Sequence, residues 1–151
     1  MPRTTAAQYV VAQLQKRGAS LFEPVVGADD VDLAVRGGEG QYVEVRIVEA
    51  NQGSSRRFAM GRFRPKGHVF FVCVAAEPEE AWVLPSSVFE RFAGGAPGGD
   101  RLLDLDREEL GEALSERLNV YKDRWVLIAE YAKYRSTLSD PVSLQMRIAM
   151  G

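Results

Sequence analysis

Alternation is the feature that most constrains this chain. Over residues 31–49, VDLAVRGGEGQYVEVRIVE, the apolar residues Val31, Leu33, Val35, Val43, Val45 and Ile47 occupy odd positions, while Asp32, Ala34, Tyr42, Glu44 and Arg46 occupy even ones. Side chains on a strand alternate faces, so a period of two reads as a β-hairpin with one greasy face and one polar face. Burying both apolar sets against one core requires that paired positions sum to an even number. Asp32 opposite Glu44, around a three-residue Gly37-Gly38-Glu39 loop, is one such register. A one-residue slip would turn one arm's valines outward. The register that buries the valines therefore also sets two carboxylates and a guanidinium on a common face, and a carboxylate pair there can hold a divalent cation.

The remaining sequence supplies elements to cover that hairpin. Residues 4–17 read as an amphipathic helix, with a Thr5/Gln8 capping box, a stripe of Ala7, Val10, Val11 and Leu14, and Gly18 as its stop. A strand is expected over residues 21–26, at an edge or bulged, because Pro24 lacks the ladder donor. HVFFVCVAA, residues 68–76, is apolar on both parities and is expected to be the central strand, covered on both faces. A turn leads to a short strand at 81–84, after which Pro85 and a Ser87/Glu90 box start a helix around Val88, Phe89 and Phe92. Residues 93–100, AGGAPGGD, read as a surface loop; no Lys-Ser/Thr pair follows it, which argues against a phosphate-binding glycine loop. A short strand at 102–105 precedes a helix capped by Asp106 and Glu109 with the stripe Leu110, Ala113, Leu114 and Leu118. Tyr121, Trp125, Ile128 and Ala132 line a further helix. Asp140-Pro141 starts a last one, with Val142, Met146 and Ala149 on one face, and residues 136–151 form either a tail or a segment that packs on a second copy, making a homodimer. The expected class is α/β (α+β), a mixed central sheet with a leading helix and C-terminal helices on its faces, in one domain over residues 1–151.

Charge and composition narrow the function. No acid occurs between Glu49 and Glu77, while Arg56, Arg57, Arg62, Arg64 and Lys66 gather around Phe58 and Phe63 in what reads as a long loop or a ragged hairpin extension. Such a block is the footprint of a phosphate-backbone contact, although a solvated charge run is the commoner origin. A net charge of −2 argues against indiscriminate nucleic-acid binding. The single cysteine, Cys73, excludes an intrachain disulfide and makes a cytoplasmic setting the default. Neither a membrane-spanning run nor a signal-peptide pattern is present in these 151 residues. His68 is the lone histidine, which disfavours a zinc site; Cys73 reads as an inert core residue, and Trp82 and Trp125 as packing.

Asp32, then Glu44-Val45-Arg46, resembles the core motif of the PD-(D/E)XK nuclease superfamily, with its restriction-endonuclease-like fold: an acid near a hairpin turn, then an acid, any residue and a lysine on the next strand. The order of elements resembles it too, from Gln8 on the leading helix through VDLAV and VEVRI to HVFFVCV and the WVLPSSVFERF strand-to-helix step. The resemblance implies a metal-dependent DNA endonuclease in which Asp32 and Glu44 hold Mg²⁺ or Mn²⁺, and Asp32, Glu44, Arg46 and Gln8 form the catalytic set. The cation would polarise the scissile phosphate and lower the pKa of the attacking water. Two departures matter: Arg46 stands where the motif has lysine, and Gln8 where members often carry an acid. Arginine keeps the charge but cannot be deprotonated, and its planar fork is larger than an ammonium. Two other readings stay open, a catalytically inactive member of the fold that binds nucleic acid or serves assembly, and a protein-interaction domain that dimerises through its C-terminal segment. The plain alternative for the acids is a solvated face on which Glu44 pairs with Arg46 or Arg36.

Overall fold

The apolar positions set the architecture. The computed structural model describes residues 5–23, 31–37, 40–50, 56–61, 63–75, 80–95 and 97–150. In chain order these form α1 (Thr5–Gln15), β1 (Ser20–Phe22), β2 (Leu33–Arg36), β3 (Tyr42–Glu49), β4 (Arg57–Met60), β5 (Val69–Ala75), β6 (Glu80–Pro85), α2 (Ser86–Phe92), β7 (Gly94–Gly95), β8 (Arg101–Asp104), β9 (Glu108–Glu109), β10 (Glu112–Ala113), α3 (Leu114–Arg117), α4 (Val126–Ala129), α5 (Tyr131–Tyr134) and α6 (Pro141–Ala149). The main sheet runs β1-β2-β3-β5-β6; β3 and β5 are parallel and the other pairs antiparallel, so the sheet is mixed and the fold α+β. A smaller sheet, β4-β8-β7, packs beside it, and β9 and β10 form a short hairpin.

Hairpin parity decides the core. Leu33, Val35, Val43 and Val45 are all buried, on the face that also carries Phe70 of β5. Tyr131 meets Phe70 edge-on, and Tyr9 of α1 meets Trp125 in the same way, so α1 and the C-terminal segment are joined by aromatic contacts. On the opposite face Phe71 meets Phe89 of α2, and Trp82 meets Phe58 of β4. That second layer explains why the alternation fails beyond Arg46, where Ile47 is half-buried and Val48 buried. With cover on both sides, β5 is buried over most of its length, as its unbroken apolar run requires. It is an interior strand, but β3 is the middle one.

Several expectations need correction. The hairpin keeps its even parity but is displaced by two positions: Ala34, not Asp32, lies opposite Glu44, and Arg36 faces Tyr42. The turn starts one residue later than expected, with the Gly37 amide donating to the Gln41 carbonyl at 3.1 Å and Gly40 taking φ +82°. Gly37 also has no room for a side chain, since a Cβ there would sit 2.5 Å from the Ala129 carbonyl oxygen. The supposed loop over residues 50–67 contains β4, which pairs with β8 and buries Phe58 completely.

The expected Asp106-capped helix is mostly a hairpin. Leu110 and Gly111 both adopt positive φ, 54° and 81°, in a two-residue turn that leaves Leu110 95% exposed. The next helix breaks at Glu130 (φ −125°, ψ 48°) into α4 and α5. The Ser87/Glu90 box does not form at α2, whose first residue follows Pro85 without a side-chain cap; the Ser87 hydroxyl lies 3.0 Å from that of Ser139. Asp140 does cap α6, accepting from the Val142 amide and the Ser143 hydroxyl. That helix is anchored by buried Leu144, while Val142 and Met146 face outward. No described helix is long and apolar enough to cross a membrane.

Candidate phosphate-binding cleft

The polar face of β3 opens into a cleft of about 360 Å³ lined by Glu44, Arg46, Met60, Gly61, Phe63, Arg64, Lys66, Val69 and Phe71. Two packing decisions build it. Parallel pairing sets Val69 beside Glu44 and Phe71 beside Arg46, which gives an apolar floor below two charged side chains. Phe63 then stacks edge-on against Phe71 (4.7 Å between centroids) and Phe89 (5.8 Å), and this brings Arg64 and Lys66 to the rim.

The rim is held at its backbone. Buried Ser86 accepts from the Lys66 amide and donates to the Lys66 carbonyl, both at 2.9 Å. The Val69 amide adds a bond to the same carbonyl (3.1 Å), the Tyr131 hydroxyl donates to the Gly67 carbonyl (2.7 Å), and the Glu44 amide donates to the His68 carbonyl (2.8 Å). His68 Nε2 lies 3.7 Å from Glu44 Oε1. Alternation along the sequence does not show this neighbour; the parallel register, which no alternation pattern encodes, brings His68 to Glu44.

The other expected site residues are distributed differently. Asp32 does not line the cleft: the backbone bends there, its amide donates to the Val45 carbonyl (2.9 Å), and its Oδ2 accepts from the Ile47 amide (2.6 Å). Gln8 lies exposed on α1, away from the cleft lining. Arg56 and Arg57 are engaged by acids from distant strands. Arg56 makes two 3.1 Å bonds to buried Glu80, which Lys122 also binds at 2.9 Å, and Arg57 lies 3.5 Å from Asp104. Arg62 lies outside the described residues. Cys73 is buried in β5, and burial pushes its thiol far above the ordinary range, which makes it a poor nucleophile or ligand.

Among the described residues no group of three or more His, Cys, Asp or Glu side chains gathers to hold a metal ion. Of the two acids expected to hold a cation, Glu44 lines the cleft and Asp32 does not. Glu44 offers carboxylate oxygens at the cleft, and the Asp32 Oδ1 oxygen is not used by the bond to Ile47. Mg²⁺ and Mn²⁺ accept such sparse oxygen sets and complete them with water or phosphate oxygens.

No family model matches the chain, and no curated relative does. Among solved structures it is similar to a bacterial homing endonuclease, I-Ssp6803I, at a TM-score of 0.59 and 20% identity, over 84% of this chain and 90% of that one. The likeness spans nearly all of both chains and fixes the fold as endonuclease-like.

Proposed function

We propose that the protein is a divergent member of the PD-(D/E)XK superfamily that hydrolyses phosphodiester bonds in DNA with the help of Mg²⁺ or Mn²⁺. The observation that carries this reading is the juxtaposition of Glu44 with Arg46, Arg64 and Lys66 around one open cleft. An acidic donor beside three cations suits a phosphate that must be both held and attacked, and the endonuclease-like fold supports the same reading.

In the reaction the oxygen of water bonds to phosphorus while one P–O ester bond breaks, leaving its electron pair on the sugar oxygen, which takes a proton from solvent as the attacking water loses one. Glu44 at the cleft would hold a divalent cation, with Asp32 as the second carboxylate of the motif, and the ion would supply Lewis-acid stabilisation of the phosphate. Arg64 and Lys66 neutralise phosphate charge from the rim, and Arg46, whose register partner is Phe71, adds a third cation to the cleft lining. Val69 and Phe71 exclude water from the floor and strengthen these interactions. Arg56 and Arg57 do not line the cleft, and each is paired with an acid, Arg56 with Glu80 and Arg57 with Asp104.

Mn²⁺ titration by calorimetry tests the metal component. Binding to the wild type that is weakened in both Glu44→Gln and Asp32→Asn supports the reading. Binding that survives both changes removes the two carboxylates from it, and absence of binding favours a non-catalytic module of the same fold, the reading toward which Arg46 and Gln8 lean.

A further inference from the structure

We infer that Lys66, rather than Arg46, is the cation that contacts the reacting phosphate; this rests on the hydrolase reading of the cleft. Among the described residues three cationic side chains line the cleft, and Lys66 carries the one ammonium. A compact ammonium can approach one non-bridging oxygen beside an acidic donor, whereas a guanidinium presents a broad planar fork.

Placement separates Lys66 from Arg64. A cation that stabilises developing charge gains from a backbone anchored before the reaction, since less reorganisation is then left to its side chain. Lys66 has its amide and carbonyl both bonded to the hydroxyl of buried Ser86, and its carbonyl also takes the Val69 amide. The two following residues are tied as well, Gly67 to Tyr131 and His68 to the Glu44 amide. Lys66 thus stands two residues from a carbonyl that is hydrogen-bonded to the very residue expected to bind the cation. Among the described residues its ammonium has no ion-pair partner, and the ion-pair distance recorded for Glu44 is to His68. The ammonium is therefore available to a ligand.

Added negative charge on the non-bridging oxygens, formed as water attacks and the ester bond breaks, is what Lys66 stabilises. The test pairs a cleavage assay with a footprint that needs no turnover. Lys66→Gln should lower the cleavage rate at saturating duplex DNA by about 10²–10³-fold, and reduce the salt slope of binding by roughly one unit. In the wild type, acetylation of Lys66 by an amine-reactive ester, read by mass spectrometry, should slow when duplex is bound, while Lys16 and Lys133 react as before. The inference is overturned if Lys66→Gln cuts as fast as the wild type, or if Lys66 is acetylated equally in free and DNA-bound protein. A wild type that protects Lys66 on binding yet cuts no duplex in Mg²⁺ or Mn²⁺ refutes the hydrolase reading and with it the catalytic role, while the phosphate contact stands. Failure to bind any duplex overturns both.

Discussion

Replacing Arg56 by alanine removes two of the three hydrogen bonds that cationic groups donate to Glu80, a carboxylate with only 7% of its surface exposed. Breaking a buried ion pair outright costs about 3–5 kcal/mol, and a hydrogen bond to a charged group contributes about 1.5–3 kcal/mol. Lys122 remains at 2.9 Å, and a third of the Arg56 side chain already meets water that can enter the gap. The expected loss is therefore about 2–3 kcal/mol. Urea denaturation at neutral pH should show it as a lower midpoint with an unchanged slope. The effect should also carry a pH signature. Burial alone would raise the Glu80 pKa, but the Lys122 hydrogen bond and the charges of Arg56 and Lys122 outweigh it and hold the carboxyl below its ordinary range. A lowered folded-state value means that the stabilisation is complete above the ordinary glutamate pKa of about 4.3 and is lost as pH falls through the folded value. The gap between wild type and Arg56→Ala should accordingly narrow in acid. An unchanged urea midpoint together with weaker DNA binding would refute this reasoning and return Arg56 to the nucleic-acid surface.

Gly37→Ala should destabilise by about 1–3 kcal/mol, because the added methyl meets the Ala129 carbonyl in a packed joint between hairpin and α4; thermal melting checks it. Leu110→Gly should stabilise by about 1 kcal/mol, since an exposed leucine at φ 54° carries left-handed strain without burial in return. Tyr121→Phe should cost about 1–2 kcal/mol by leaving the Leu138 carbonyl without the 2.6 Å bond it receives from the hydroxyl, a loss that urea titration would reveal.

Much of the fold was legible because periodicity reports burial. The parity of residues 31–47 located the hairpin and its greasy face, the double-sided run of residues 69–75 located an interior strand, and Asp140-Pro141 located the start of α6. Where the reading failed, a turn or a partner distant in sequence decided the outcome. Leu110-Gly111 turned a helix-like stripe into a hairpin by adopting positive φ, which a leucine rarely does. Even parity admitted several registers, and the position of the turn chose the one that puts Ala34 against Glu44. The acid-free window from residue 50 to 76 was real in sequence, but Glu80 and Asp104, brought in by β6 and β8, met Arg56 and Arg57. For the site, Glu44 and Arg46 were visible on the polar face of the hairpin. The contribution of Ser86 was not, because its hydroxyl serves the backbone of a segment twenty residues earlier.

Cleavage of duplex DNA is the measurement closest to the central claim. Purified protein incubated with a duplex in Mg²⁺ or Mn²⁺ should nick or cut it, with activity abolished by chelation of the metal and reduced by at least about 10²-fold in Glu44→Gln, while DNA binding by that variant persists. Wild-type protein that binds duplex but leaves it intact in both metals, or a Glu44→Gln variant that cuts as well as the wild type, would contradict the account.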